Sequence, residues 1–189
     1  YVSFLSPHYP LTVPEPFFSL YDPADMPDPK LDPEGGYERH PWVDVLALRQ
    51  PHANGLTPEK SRAAMAAYLG LCSFIDHQIG RVLEALETAG LTENTRIIYT
   101  SDHGENAGAR GLWGKSVMYE ESTGIPMMVA GPDVPVGQIC DTPVSLVDLY
   151  PTITQAIGIA PVDAEVDLPG NSLLDIAAAG SDPERIAFS

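Results

Sequence analysis

An α/β fold is predicted by three features of this 189-residue chain. Apolar residues recur at helical spacing through Ala64, Tyr68, Leu71, Ile75, Ile79, Val82 and Leu86. A β-branched segment, Ile97-Ile98-Tyr99-Thr100, follows after a short connector, and a second apolar run, residues 124–132, lies between turn signals. Helix, short turn, strand and polar turn is the rhythm of an α/β protein. A single domain is expected: residues 11–58 a proline-rich excursion, residues 59–160 a helix-strand core, and residues 161–189 an irregular tail.

In chain order, residues 1–6 are rich in apolar side chains and stop at Pro7-His8-Tyr9-Pro10, which predicts a buried strand ending in a rigid turn. His8 stands at that exit, where a capping role and a functional one are equally open. Prolines across residues 11–58 forbid long regular elements, and Asp-Pro and Pro-Asp pairs mark successive turns, so an ordered surface excursion resembling a lid is expected. His40 and His52 inside it read as surface residues. Thr57 and Pro58 have the chemistry of an N-cap and first helical position, opening the longest helix, which Gly90 ends. Asp76 and His77 on that helix point about 100° apart and cannot chelate one ion together, so they read as packing or surface residues.

The segment at residues 96–100 suits a buried strand, and α/β proteins place ligand groups just beyond the carboxyl ends of strands. Asp102, His103, Glu105 and Asn106 stand there. Gly104, Gly108, Gly111 and Gly114 oppose helix formation and let backbone approach a ligand, and Lys115 closes the stretch with a mobile positive charge. Acidic groups with one lysine suggest a cation beside a bound anion. Glu105 and Asn106 read equally as partners that orient the ligands and as a solvated turn. Residues 145–157 carry apolar side chains at helical spacing, with Asp148 as a cap and the helix firm from Pro151. A weak helical piece at residues 172–179 and a strand-like stretch at residues 185–188 complete the chain.

Ten Lys and Arg against 26 Asp and Glu give a formal charge of -16, which opposes binding to nucleic acid and adsorption to anionic membrane. No run approaches the roughly 18 apolar residues that span a bilayer, and the first residues lack a basic-then-apolar signal. A soluble chain is expected, cytoplasmic rather than periplasmic. Cys72 and Cys140 lack zinc-like spacing and read as free thiols, with a disulfide between them left open.

Four stretches taken together resemble the sulfatase family of the alkaline-phosphatase-like superfamily. They are Phe4-Leu-Ser-Pro-His-Tyr-Pro10; the helix containing Asp76 through Gly90-Leu-Thr-Glu-Asn-Thr95; Thr100-Ser-Asp-His-Gly-Glu105 with Gly111-Leu-Trp-Gly-Lys115 and Tyr119-Glu-Glu-Ser122; and Asp141-Thr-Pro-Val-Ser-Leu-Val-Asp-Leu-Tyr-Pro-Thr152. The wording around Ala109 to Lys115 is most similar to the choline-sulfatase branch. The resemblance implies a sandwich of a mostly parallel mixed sheet between helices, incomplete in this chain. It implies that Asp102 and His103 are metal ligands, that Lys115 contacts the sulfate group, and that His8 contacts sulfate or the leaving oxygen. The divalent cation would be Ca²⁺ first, with Mg²⁺ or Mn²⁺ as alternatives. The implied partner is a small-molecule sulfate ester, and Trp113, Tyr9 or Phe17 could wall a quaternary ammonium group.

The family's nucleophile is a formylglycine made in a Cys/Ser-x-Pro-x-Arg motif. Neither cysteine has that continuation. Ser181-Asp-Pro-Glu-Arg185 matches in form, but it follows the Asp102 block instead of preceding it, and Asp-Pro-Glu opens a turn or helix. The chain is therefore expected to be the C-terminal part of a catalytic domain, inactive alone. Two rivals stay open: a phosphodiester or phosphonate monoester hydrolase of the same superfamily, and a non-catalytic acidic interaction module.

Overall fold

The computed structural model describes residues 1–30, 36, 38–49, 56–160 and 168–187; His52, Phe188 and part of the expected tail lie outside them. The chain forms two compact units, Tyr1–Ala89 with His103–Gly124, and Gly90–Asp102 with Ile125–Ser189.

The first unit is organised by a long helix. We number the elements in chain order: α1 is Pro41–Arg49 and α2 is Pro58–Thr88. Thr57 caps α2 as its sequence predicts, its hydroxyl accepting from the Lys60 N–H at 3.3 Å, and Pro58 occupies the first turn, where its missing N–H costs nothing. Leu71 and Ile75 of the predicted apolar stripe are buried, whereas Val82 is exposed. Burial therefore belongs to the first half of the helix. There the proline-rich excursion packs on it, through the 3-10 turns Phe17–Leu20 and Pro23–Asp25. The Phe17 ring meets Phe74 edge-on at 5.5 Å, and the Tyr21 and Ser73 hydroxyls are 2.8 Å apart. A Cβ on Gly70 would lie 2.8 Å from the Phe17 carbonyl oxygen, so this approach needs glycine. Phe17 thus packs against α2. Asp76 and His77 are exposed, as expected.

Two expectations for the first half of the chain are corrected. Residues 1–5 form no strand and are exposed; apolar composition marked a segment able to pair, but no strand among the described residues pairs with it. The excursion contains a nine-residue helix, α1, beginning on Pro41. A proline read as a breaker sits at the one helical position it favours. His40 accepts the Trp42 N–H on its Nδ1 at 3.1 Å and remains exposed, as expected.

The second unit carries β1, Ile97–Thr100, and β2, Met127–Ala130, paired antiparallel with Ile97 opposite Ala130 and Thr100 opposite Met127. Tyr99 and Met128 face each other across the pair and are both exposed, so the strand predicted as buried is only half covered. The four-residue α3, Glu120–Thr123, lies between the strands in sequence but belongs to the first unit. α4, Leu149–Ala156, and α5, Leu173–Ala179, complete the second unit. The Ser172 side chain caps α5 by accepting from the Leu174 N–H at 3.2 Å. Residues 185–187 form no strand.

Asp148 precedes α4 but does not cap it with its side chain. Its fully buried carboxylate instead accepts from the Ser145 and Asn171 N–H groups at 2.9 and 2.8 Å, and from both Arg185 Nη atoms at 3.1 and 2.7 Å. Burial alone would raise the Asp148 carboxyl, yet the Arg185 and backbone donors outweigh it and hold the group below its ordinary range. Thr152, also fully buried, donates to the Asp148 carbonyl at 2.6 Å and accepts from the Leu173 N–H at 2.7 Å, tying α5 to α4.

Candidate active site

In the first unit, His8 and Lys115 meet although 107 positions separate them. His8 Nδ1 is 2.8 Å from the Tyr9 carbonyl oxygen, which can only accept, so Nδ1 carries the proton. In the neutral ring, Nε2 then holds a lone pair, and the Lys115 ammonium donates to it at 2.7 Å. An imidazolium would turn a second N–H toward the ammonium instead. The His8 ring is stacked on Tyr9 at 4.3 Å, and its backbone N–H donates to the Leu5 carbonyl at 3.1 Å. Four contacts fix the histidine that a proline-flanked turn only hinted at. Lys115 forms no ion pair with Glu120 or Glu121, its nearest acidic neighbours in sequence. Glu121 is held by Arg110 at 2.7 Å and Lys30 at 3.4 Å.

His103 stands in the same unit, its ring 6.1 Å from that of His8 and inclined at 61°. Its Nδ1 donates to the Gly104 carbonyl at 2.9 Å, which leaves the lone pair of the neutral ring on Nε2, the form in which imidazole ligates a metal. Gly104 donates its N–H to the Ser122 carbonyl at 2.8 Å. A Cβ on Gly104 would overlap the Glu121 carbonyl oxygen and lie 3.0 Å from that of Gly124. Backbone, not a flexible side chain, blocks the space. Gly104→Ala is expected to destabilise the first unit by about 1–3 kcal/mol, measured by denaturant unfolding followed through Trp113 fluorescence. An unchanged midpoint would show that the α3 segment yields freely.

The loop from Glu105 to Lys115 is built on left-handed residues: Ala107 at φ 47°, Arg110 at φ 53°, and Gly114 at φ 81°. Non-glycine residues in that region are strained, and side chains compensate here. Glu105 Oε1 accepts the Ala107 N–H at 3.1 Å and the Gly114 N–H at 2.6 Å. Asn106, only 2% exposed, donates from Nδ2 to the Gly114 carbonyl at 2.5 Å and to Ser122 Oγ at 3.0 Å. The solvated-turn alternative for these two residues is therefore excluded. Arg110 lies 4.3 Å over the Tyr119 ring.

Asp102 follows β1 in the second unit and is exposed, with Ser101 Oγ 3.4 Å from its Oδ1. Among the described residues, no three His, Cys, Asp or Glu side chains stand close enough together to hold a metal ion. The carboxylate is an oxygen donor of the kind Ca²⁺ and Mg²⁺ take and the imidazole suits a transition-metal ion, but two ligands are too few for Ca²⁺ or Mg²⁺, which take about six or more donors. Ser181 and Arg185 do not behave as a nucleophile pair. The Ser181 hydroxyl accepts the Asp141 N–H at 3.1 Å, while Arg185 is committed to Asp148 and the Pro143 carbonyl. Among the described residues no helix is long and apolar enough to cross a membrane.

A family profile described as Sulfatase matches residues 1–159. A sulfatase of Formosa agariphila is 31% identical over 84% of this chain and 32% of its own length. A choline-sulfatase of Rhizobium meliloti is 32% identical over 84% of this chain and 31% of its own. Among solved structures, a phosphonate monoester hydrolase of Silicibacter pomeroyi superposes with a TM-score of 0.81 at 30% identity, covering 95% of this chain and 37% of that one. The chain thus spans about a third of the length of the curated relatives it matches. The fold is that of the alkaline-phosphatase-like proteins, of which the described two-stranded sheet is a part. With the family match running from the His8 turn past the Asp102 and Lys115 block, the chain belongs to the sulfatase family.

Proposed function

We propose that this chain supplies the anion-binding and leaving-group side of a sulfuric-ester hydrolase site, acting on a small-molecule sulfate ester. The 2.7 Å contact between Lys115 Nζ and His8 Nε2 carries this reading. It places a cation and a proton-exchanging ring side by side, both held by backbone anchors. Lys115 has further N–H groups to offer to sulfuryl oxygens, where charge accumulates as the ester bond breaks. His8, its Nδ1–H fixed on Tyr9, can take up a proton at Nε2 and deliver it to the departing ester oxygen. Asp102 and His103 are proposed as two ligands of a divalent cation, Ca²⁺ first and Mg²⁺ or Mn²⁺ as alternatives. Such an ion would supply charge withdrawal from the ester. Its remaining ligands and a formylglycine nucleophile would come from polypeptide beyond these residues.

The structural likeness to a phosphonate monoester hydrolase favours a second reading, hydrolysis of phosphonate or phosphate esters through the same lysine and histidine. Matched aryl sulfate and aryl phosphonate esters, offered to the longer polypeptide carrying residues 1–189, separate the two. Faster sulfate turnover is expected; faster phosphonate turnover would replace the first reading by the second, and turnover of neither would leave the acidic interaction module. Residues 1–189 alone are expected to hydrolyse neither ester, and turnover by them would overturn the divided-site proposal.

A further inference from the structure

We propose that Glu105, with Asn106 beside it, is a positioning residue that sets the Lys115 ammonium on His8 by clamping the Gly114 backbone; this rests on Lys115 being the anion contact. Gly114 is the residue before Lys115, and glycine alone would leave that approach conformationally free. Both of its backbone polar groups are instead held. Its N–H donates to Glu105 Oε1 at 2.6 Å, and its carbonyl accepts from the Asn106 N–H at 2.9 Å and Asn106 Nδ2 at 2.5 Å. That carbonyl belongs to the peptide whose nitrogen is Lys115's own, so the plane from which the lysine side chain departs is fixed on one side. On the other side, the Lys115 carbonyl accepts the Val117 N–H at 2.8 Å. The side chain then ends on His8 Nε2.

The same Glu105 oxygen also accepts the Ala107 N–H at 3.1 Å, which sustains the left-handed backbone that turns the loop back toward Gly114. One acceptor atom does both tasks. The negative charge is therefore not required, and an amide oxygen in its place would serve. This separates a clamp from an electrostatic or proton-transfer role for Glu105. Misplacing a catalytic group by an ångström costs about 10²-fold in rate, so a clamp of this kind has a functional reach.

The test uses nitrogen-15 NMR of the 189-residue chain, reading the His8 ring nitrogens and the exchange of the Gly114 amide. In the wild type His8 is expected as the Nδ1–H form with a protected Gly114 amide. Glu105→Ala should shift the His8 Nε2 resonance to that of a ring nitrogen without the Lys115 hydrogen bond and give fast Gly114 exchange, and Glu105→Gln should restore both signals. Should Glu105→Ala fail to fold by circular dichroism, Glu105→Asp, which withdraws the acceptor by one methylene, carries the same expectation as Ala. A wild-type His8 signal in the folded Ala or Asp variant, or Glu105→Gln behaving like Ala, overturns the clamp. In the longer polypeptide Glu105→Ala should lower kcat about 10²-fold, with Gln restoring it. Absence of any esterase activity there would count against the function, while the NMR result alone decides the clamp.

Discussion

On the proposed reading as a sulfuric-ester hydrolase, replacing Lys115 by Ala in a polypeptide that joins residues 1–189 to a formylglycine nucleophile is expected to lower kcat/KM for an aryl sulfate by about 10²- to 10³-fold, or about 2.7–4 kcal/mol of transition-state stabilisation. The size follows from where the ammonium sits. It is half-buried and 2.7 Å from His8 Nε2. A donor fixed there before substrate arrives needs no reorganisation when charge develops on sulfuryl oxygens. The loss should fall on kcat as well as KM, because the charge stabilised grows toward the transition state. Lys115→Arg should recover only part of the activity, since a planar guanidinium cannot occupy a point donor's place against an imidazole nitrogen. His8→Ala should be less than additive with Lys115→Ala, because the two form one hydrogen-bonded unit. Steady-state kinetics on the two single variants and the double variant, with unfolding midpoints as a control, measures this. A loss under about tenfold for Lys115→Ala would place the ammonium away from the reacting charge.

The local signals were legible in the sequence, and the long-range ones were not. Thr57 and Pro58 announce the start of α2, because caps act over three residues and leave their mark in composition, and α5 falls within the weak helical piece read at residues 172–179. The strands β1 and β2 were visible as β-branched and apolar runs, although their half exposure depends on what pairs beside them. Helix α1 was hidden because its first residue, Pro41, is both a breaker and a good helix opener, and only tertiary context chooses. For the site, spacing pointed to the Asp102 to Lys115 stretch but could not bring His8 to Lys115 across 107 positions. That pairing entered through a resemblance and then through geometry. Glu105 and Asn106 were ambiguous for a related reason: a polar pair in a glycine-rich turn reads as solvated until burial shows that its hydrogen bonds are internal.

Asp148 does more than cap, and it carries the largest stability prediction: its carboxylate accepts the Ser145 N–H that opens the turn before α4 and also holds Arg185. A carboxylate just before a helix has the sequence signature of a cap, yet this one is bound by an arginine 37 residues away. Asp148→Asn should destabilise the second unit by about 3–5 kcal/mol. The substituted amide can present an oxygen on only one side, so its NH₂ would face the N–H groups of Arg185 and of either Ser145 or Asn171. Arg185 would also lose its counter-charge in a largely buried position. Both tryptophans, Trp42 and Trp113, lie in the first unit, so hydrogen exchange in α4 and α5 is the appropriate measurement. The pH dependence has a defined sign. The folded carboxyl lies below its ordinary value, so its contribution is complete above about pH 4, the unfolded range, and is lost as pH falls through the folded value. Wild-type protection in α4 and α5 should therefore decline on acidification below about pH 4, and Asp148→Asn should remove that part of the decline. Equal protection of the two proteins at neutral pH would show that the buried pair adds nothing that a neutral amide cannot supply.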